Sequence, residues 1–322
     1  MNNHFIERLE NLPVPILPTF VGALTLSNVY QGLGFSWIRH VTMWIATIIW
    51  ICYIIKILNF PNTFKKEYSN TVLSSLYAGF TMIMMLLGSY YIQFHKGIGK
   101  GLWFSGIIIH MIHILVFTYR NIIKKFNKET FLPSWFVTYN GIMVSAVVGG
   151  LMDELLICKF ITYYGIFTYI IILPFMISRL IKFEIKREVY HTQAILLAPC
   201  SLCLVSYLNT VEDPNIYLIG FLYIAVLISL GFLIYKLPVF FSIDFSPSYA
   251  GMTFPMAIGI VASNKISEFL DSLGYEFLSY ITTQIVGFQI YLTTGIIAYV
   301  LLKFLIMALG TREKVRVYKG IE

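Results

Sequence analysis

Long apolar stretches separated by short polar ones run the whole length of the chain. Ten of them are about as long as a helix needs to be to cross the hydrocarbon core of a bilayer, roughly 20 residues. They cover residues 14–33, 37–58, 71–92, 101–123, 133–152, 159–181, 192–210, 215–237, 247–264 and 280–308. A backbone in lipid must satisfy its own N–H and C=O groups, so each stretch is expected to be a helix. The connections are short, which leaves no room for a soluble catalytic unit. The expected fold is all-α and integral to the membrane: ten transmembrane helices as five hairpins in a single domain over residues 1–322. Glu7, Arg8 and Glu10, followed by Pro13, Pro15 and Pro18, do not make a cleaved signal, so the first helix is expected to stay as an anchor.

The apolar stretches are of two alternating kinds. The five odd ones hold 35 Gly, Ala, Ser or Thr among 99 residues, and the five even ones hold 23 among 120. Pro15, Pro18, Pro133, Pro199, Pro247 and Pro255 fall in odd stretches, and Pro174 alone falls in an even one. No Asp, Glu, Lys, Arg or His lies in an odd stretch. Small residues let helices approach closely in lipid, and a carbonyl freed by proline finds a partner inside a bundle more easily than at its surface. An inner ring of odd helices around a central pore is therefore expected, with even helices rich in Ile, Leu, Phe, Trp and Tyr facing lipid as an outer ring.

Composition agrees: 58% of residues are hydrophobic, 12% are charged, and mean hydropathy is +0.76. The net charge of +7 adds orientation. Counting residues near the helix ends with their connections, 18 of the 23 Lys and Arg, Lys56 among them, belong to the termini and the connections after even helices, and five belong to the other side. Positive connections resist translocation, so both termini are expected in the cytoplasm of a cell-membrane protein. The basic pI needs no nucleic-acid partner, because no basic run combines with aromatics on a soluble face.

Four stretches carry a resemblance: Leu12 to Asn28 (LPVPILPTFVGALTLSN), Leu132 to Ser145 (LPSWFVTYNGIMVS), Ala194 to Leu208 (AILLAPCSLCLVSYL) and Ser246 to Ala262 (SPSYAGMTFPMAIGIVA). With a weaker match at Ala78 to Tyr91, the chain resembles the tellurite-resistance/dicarboxylate transporter family. That family includes bacterial tellurite-resistance protein A, fungal malate permease and sulfite exporter, and the plant slow anion channel. The resemblance implies ten helices, a five-helix pore, a homotrimer, and a phenylalanine plugging the pore midway along the ninth helix. Phe254, in Thr253-Phe254-Pro255, occupies the matching position. Pro255 cannot donate to the carbonyl of Gly251, so a bend is expected there that turns the neighbouring ring toward the axis. Gly251, Thr253, Gly22, Gly141 and Pro199 are the further residues expected to line or kink the pore. Leu17-Pro18-Thr19-Phe20 departs from the family's more Gly-rich pattern and is expected to narrow the path.

A wall without fixed charge suits weak binding and fast passage of small inorganic or organic anions. Proton-coupled transport usually leaves an ionisable residue in the bundle interior. The expectation is a channel or uniporter; the alternative is a proton-coupled carrier of C4-dicarboxylate, sulfite or tellurite. Other features point elsewhere less strongly. His110 and His113 share a helix face, and Cys200-x-x-Cys203 follows Pro199, but neither pair gathers further ligands, so no metal or cofactor is expected. Asp153-Glu154 and Glu212-Asp213-Pro214 read as solvated turns, and Arg312-Glu313-Lys314-Val315-Arg316 more simply as the last cytoplasmic anchor than as a contact with anionic lipid headgroups. With no Walker loop, dinucleotide fingerprint or nucleophile elbow, the chain is not expected to be an enzyme.

Overall fold

The computed structural model describes residues 3–308, with side chains from residue 7. The basic run Arg312 to Arg316 lies outside the described residues. Every element within them is helical. Two short helices, α1 (Asn3–Glu10) and α4 (Pro61–Ser69), lie outside the ten apolar stretches. The remainder are α2 (Ile16–Gly32), α3 (Ser36–Asn59), α5 (Thr71–Leu76), α6 (Ala78–Tyr91), α7 (Lys96–Thr118), α8 (Trp135–Asn140), α9 (Val144–Val147), α10 (Leu155–Lys182), α11 (Leu197–Thr210), α12 (Ile216–Phe241), α13 (Ala250–Ser272) and α14 (Glu276–Ala308).

Among the described residues, seven segments are long and apolar enough to cross a membrane: Ser36–Asn59, Thr71–Tyr91, Lys96–Lys124, Leu155–Lys182, Arg187–Thr210, Ile216–Phe241 and Glu276–Ala308. The other three expected crossings, α2, the stretch 133–152 and α13, do not reach that standard. α2 has 17 residues and holds Pro18, and the 133–152 stretch is broken. In that stretch α8 gives way to a 3-10 turn at Gly141–Met143, then α9, then a second 3-10 turn at Gly149–Leu151. The segment ending in α11 begins earlier than expected, as a 3-10 run over Arg187–Leu196.

Burial separates the same two sets that small-residue content separates. Over an 18-residue apolar window, the Thr71–Tyr91 and Arg187–Thr210 segments are 78% and 89% buried, against 22–33% for the five even segments. α2 and α13 are likewise buried over most of their length. Going round, α2 packs on α6, α6 on α9, α9 on α11, α11 on α13, and α13 on α2. Glycine makes the closest of these approaches. A Cβ on Gly22 would stand 2.7 Å from the backbone nitrogen of Phe254, and one on Gly251 would stand 2.9 Å from the carbonyl oxygen of His191. The even helices present Trp44, Ile48, Leu115, Phe160, Phe167 and Tyr291 outward.

The turns that close the first and last hairpins are alike. Gly34 (φ 92°) follows α2 and Gly274 (φ 79°) follows α13, each in the left-handed region that a side chain disfavours. The amides of Phe35 and Tyr275 reach back to the carbonyls of Tyr30 and Leu270 at 2.9 and 3.0 Å, which terminates both helices by the same motif.

Ion pairs show which connections share an end. Lys186 and Glu129 approach to 3.7 Å between the connections after α10 and α7, and Lys96 and Asp153 approach to 3.5 Å on the opposite end. At the first, Lys-rich end, Lys56 is wholly buried, with its Nζ donating to Glu67 Oε1 at 2.7 Å and to the Leu12 carbonyl at 2.8 Å. Glu67 Oε2 in turn accepts from Tyr77 at 2.5 Å. Lys56, counted from the sequence as a topological charge, is therefore also a structural one.

Candidate functional site

The buried segments run in the same direction, from the Lys-rich end to the other, and two cavities lie along them. The first, of about 20 Å³, is lined from all five: Pro18 of α2, Leu76 and Met82 of the α5–α6 segment, Phe136 and Gly141, Ile195 and Ala198, and Gly251, Phe254 and Pro255. That is room for about one water. The second, of about 170 Å³, lies farther along, between Thr25 and Asn28 of α2, Leu86, Val144 and Val148, and Phe254, Ile258 and Val261. Among the described residues, Phe254 alone borders both.

The surroundings hold Phe254 firmly. Its side chain is buried, and its helix is pressed against α2 at Gly22. α13 continues through Pro255 as a single helix from Ala250 to Ser272. Thr253 Oγ1 donates to the Ala250 carbonyl at 2.8 Å and to the Pro18 carbonyl at 3.3 Å, tying α13 to α2. Among the described residues, no charged side chain lines either cavity; Thr25 and Asn28 are the polar groups of the larger one. Asn28 Oδ1 accepts from Arg39 Nε at 2.8 Å, so a buried guanidinium stands one residue behind that wall.

Of the residues singled out in the sequence, Phe254, Pro255, Gly251 and Gly141 meet at the smaller cavity. Gly22, Thr253 and Pro199 line neither one. Gly22 and Thr253 instead form the contact between α2 and α13, where each serves close packing. Pro199 is buried within α11. Sequence reading missed Asn28 and Arg39, which lie in different helices and come together only across the turn at Gly34.

The histidines of α7 reach inward. His110 Nδ1 is 2.6 Å from Thr81 Oγ1, and its Nε2 is 2.9 Å from the Thr138 carbonyl. His113 Nδ1 is 2.6 Å from the Tyr68 hydroxyl, and its Nε2 is 3.2 Å from Thr138 Oγ1. All four ring nitrogens thus have partners, in a network that fastens α7 to α4, α6 and α8. A Cβ on Gly141 would lie 3.0 Å from His110 Cε1, which places that imidazole directly behind the wall of the smaller cavity. Among the described residues, no group of three or more His, Cys, Asp or Glu is arranged to hold a metal ion. The four cysteines are unpaired, and Cys200 and Cys203 are buried in α11.

Parallel buried segments with small, uncharged cavities along them, sheathed in apolar helices, describe a membrane transport protein. The family model described as voltage-dependent anion channel matches residues 14–308, and the chain belongs to that family, which is also that of the tellurite-resistance/dicarboxylate transporters. No curated protein compared with the chain matches it. Members of the family are membrane channels and transporters for anions rather than enzymes, and this chain is one of them.

Proposed function

We propose that the chain is a passive channel or uniporter for small inorganic or organic anions, with a path between the five buried segments and a gate at Phe254. The observation that carries this reading is the position of one aromatic ring between two uncharged cavities. In this reading all ten apolar stretches cross the bilayer, the five buried segments form an inner ring, and the rest form an outer ring. α2, the 133–152 stretch and α13 can be short, broken or less apolar because protein, not lipid, surrounds them. The Lys-rich end is cytoplasmic, which puts both termini inside the cell membrane, and the functional unit is a homotrimer, as the family resemblance implies.

Uncharged walls bind an anion weakly, which permits fast release, and the interrupted backbone around Gly141 supplies dipoles in place of fixed charge. A second reading, proton-coupled transport of a dicarboxylate, sulfite or tellurite, draws on His110, an ionisable side chain one layer behind the cavity wall. Reconstitution in liposomes separates the two. Anion uptake driven by a potassium diffusion potential at equal pH on both sides is expected; uptake that needs a pH gradient would replace the channel reading with the coupled one.

A further inference from the structure

At the Lys-rich end, away from the two cavities described above, a third cavity of about 330 Å³ lies between the end of α10 and the starts of three buried segments. Three cations from three parts of the chain line it: Lys128 after α7, Arg179 in the last turn of α10, and Lys186 after α10. Arg179 is 8% exposed. Its Nη1 donates to the Phe183 carbonyl at 2.8 Å, and its guanidinium carbon sits 5.8 Å from the centre of the Phe183 ring. Its Nε–H has no acceptor among the described residues. A buried charged donor left unused is costly, and Nε itself is closed off from the cavity, so a ligand there would meet the rest of the guanidinium.

Two carboxylates also line the cavity, Glu129 and Glu184. Glu129 interacts electrostatically with Arg179 and lies 3.7 Å from Lys186, but its pair with Lys186 is largely exposed and therefore weak. Three cations against two carboxylates leave an excess of positive charge in the lining, and Arg179 is the buried one of the three cations.

We infer that this cavity binds a phosphate group, carried by a phospholipid headgroup or a soluble phosphate. A guanidinium edge offers directed donors that match a tetrahedral oxyanion, whereas a halide can use one direction at a time. The volume also exceeds what a small permeant anion needs and lies at the lower end of small-molecule sites. Val72, Leu132 and Val189 line this cavity, while Leu76, Phe136 and Ile195, next along the same three segments, line the one beneath Phe254. Occupancy would brace the starts of three of the segments around the proposed path. Binding itself does not depend on how Phe254 acts.

The test uses the full chain in nanodiscs of neutral lipid, titrated with inorganic phosphate against chloride at matched ionic strength, and reads the thermal unfolding midpoint. A saturable rise with phosphate alone is expected, with apparent affinity reduced roughly ten- to hundredfold in Arg179→Gln, the loss of one charge-assisted bond. If Arg179→Gln does not fold, the Lys128→Gln/Lys186→Gln pair, at exposed positions, is expected to weaken binding in the same direction. Nanodiscs containing a phosphoinositide distinguish the source: a raised midpoint that free phosphate no longer increases assigns the site to a lipid headgroup, and an unchanged response assigns it to a soluble phosphate. Equal response in wild type and variants, or no difference between phosphate or phosphoinositide and chloride, would overturn the inference.

Discussion

Phe254 is placed by its neighbours rather than by its own polarity. A phenylalanine in a helix is ordinarily core filler, and this one is buried like many others. What sets it apart is empty space on both sides along one direction. Removing the ring is expected to join the two cavities, so Phe254→Ala should raise anion conductance several-fold in voltage-clamped membranes at equal surface expression. Unchanged current would remove Phe254 from the gate. Phe254→Leu, which keeps bulk near the axis, should fall between the two. The neighbouring glycines that looked equivalent in the sequence divide by whether they reach a cavity: Gly141 and Gly251 do, although Gly251 also abuts the His191 carbonyl, while Gly22 is closed in by α13.

At the scale of the elements, two kinds of contact hold the buried segments in place. The first is close approach without side chains. A Cβ at position 22 would stand 2.7 Å from the Phe254 nitrogen, so α2 and α13 must separate to admit even a methyl group. Gly22→Ala is expected to cost about 1–3 kcal/mol, in the manner of other overpacked cores, and to lower the unfolding midpoint in detergent. Gly220→Ala, whose added methyl meets nothing, should leave it unchanged. The second kind is buried polar fastening. Lys56 anchors α3 to the chain before α2 and to α4. Lys56→Met leaves Glu67 without its cation and is expected to cost about 3 kcal/mol, with Lys56→Met/Glu67→Gln recovering part of the loss. A purely steric defect at Lys56 would not be relieved by a change at Glu67, so the recovery identifies the lost charge as the cause.

For the whole molecule, the alternation of buried and largely exposed segments gives a common direction as well as an inside. All buried segments start at the Lys-rich end, so a cysteine in the connection after α3 should be shielded from a membrane-impermeant thiol reagent in intact cells. Lys65→Cys is expected to label only after permeabilisation, and Lys96→Cys, in the connection at the other end, without it. The opposite pattern would invert the topology and with it the direction assigned to the path. The family membership covers residues 14–308, so it applies to the bundle as a whole rather than to one motif.

Much of this architecture follows from local chemistry. A run of apolar residues must become a helix in lipid, lysine and arginine gather in excess on one side, and small residues with proline favour positions where protein surrounds them. Each of these is written within about 20 consecutive residues. The Schellman turns at Gly34 and Gly274 are equally local. The interruption at Gly141 and the early 3-10 start at Arg187 were not legible, since both form against neighbouring segments. Nor was the inward reach of His110 and His113: their helix is largely exposed, and their partners Thr81, Thr138 and Tyr68 come from three others. Cavities are decided last of all. Whether a residue borders space depends on where side chains from five segments fail to meet, and no single segment encodes that. The sequence determined that the chain is helical and apolar enough for a membrane, and which of its segments are rich in small residues and buried. Only the tertiary structure decided that, among the residues marked out in advance, Phe254 stands between two cavities while Gly22 and Thr253 stand between two helices.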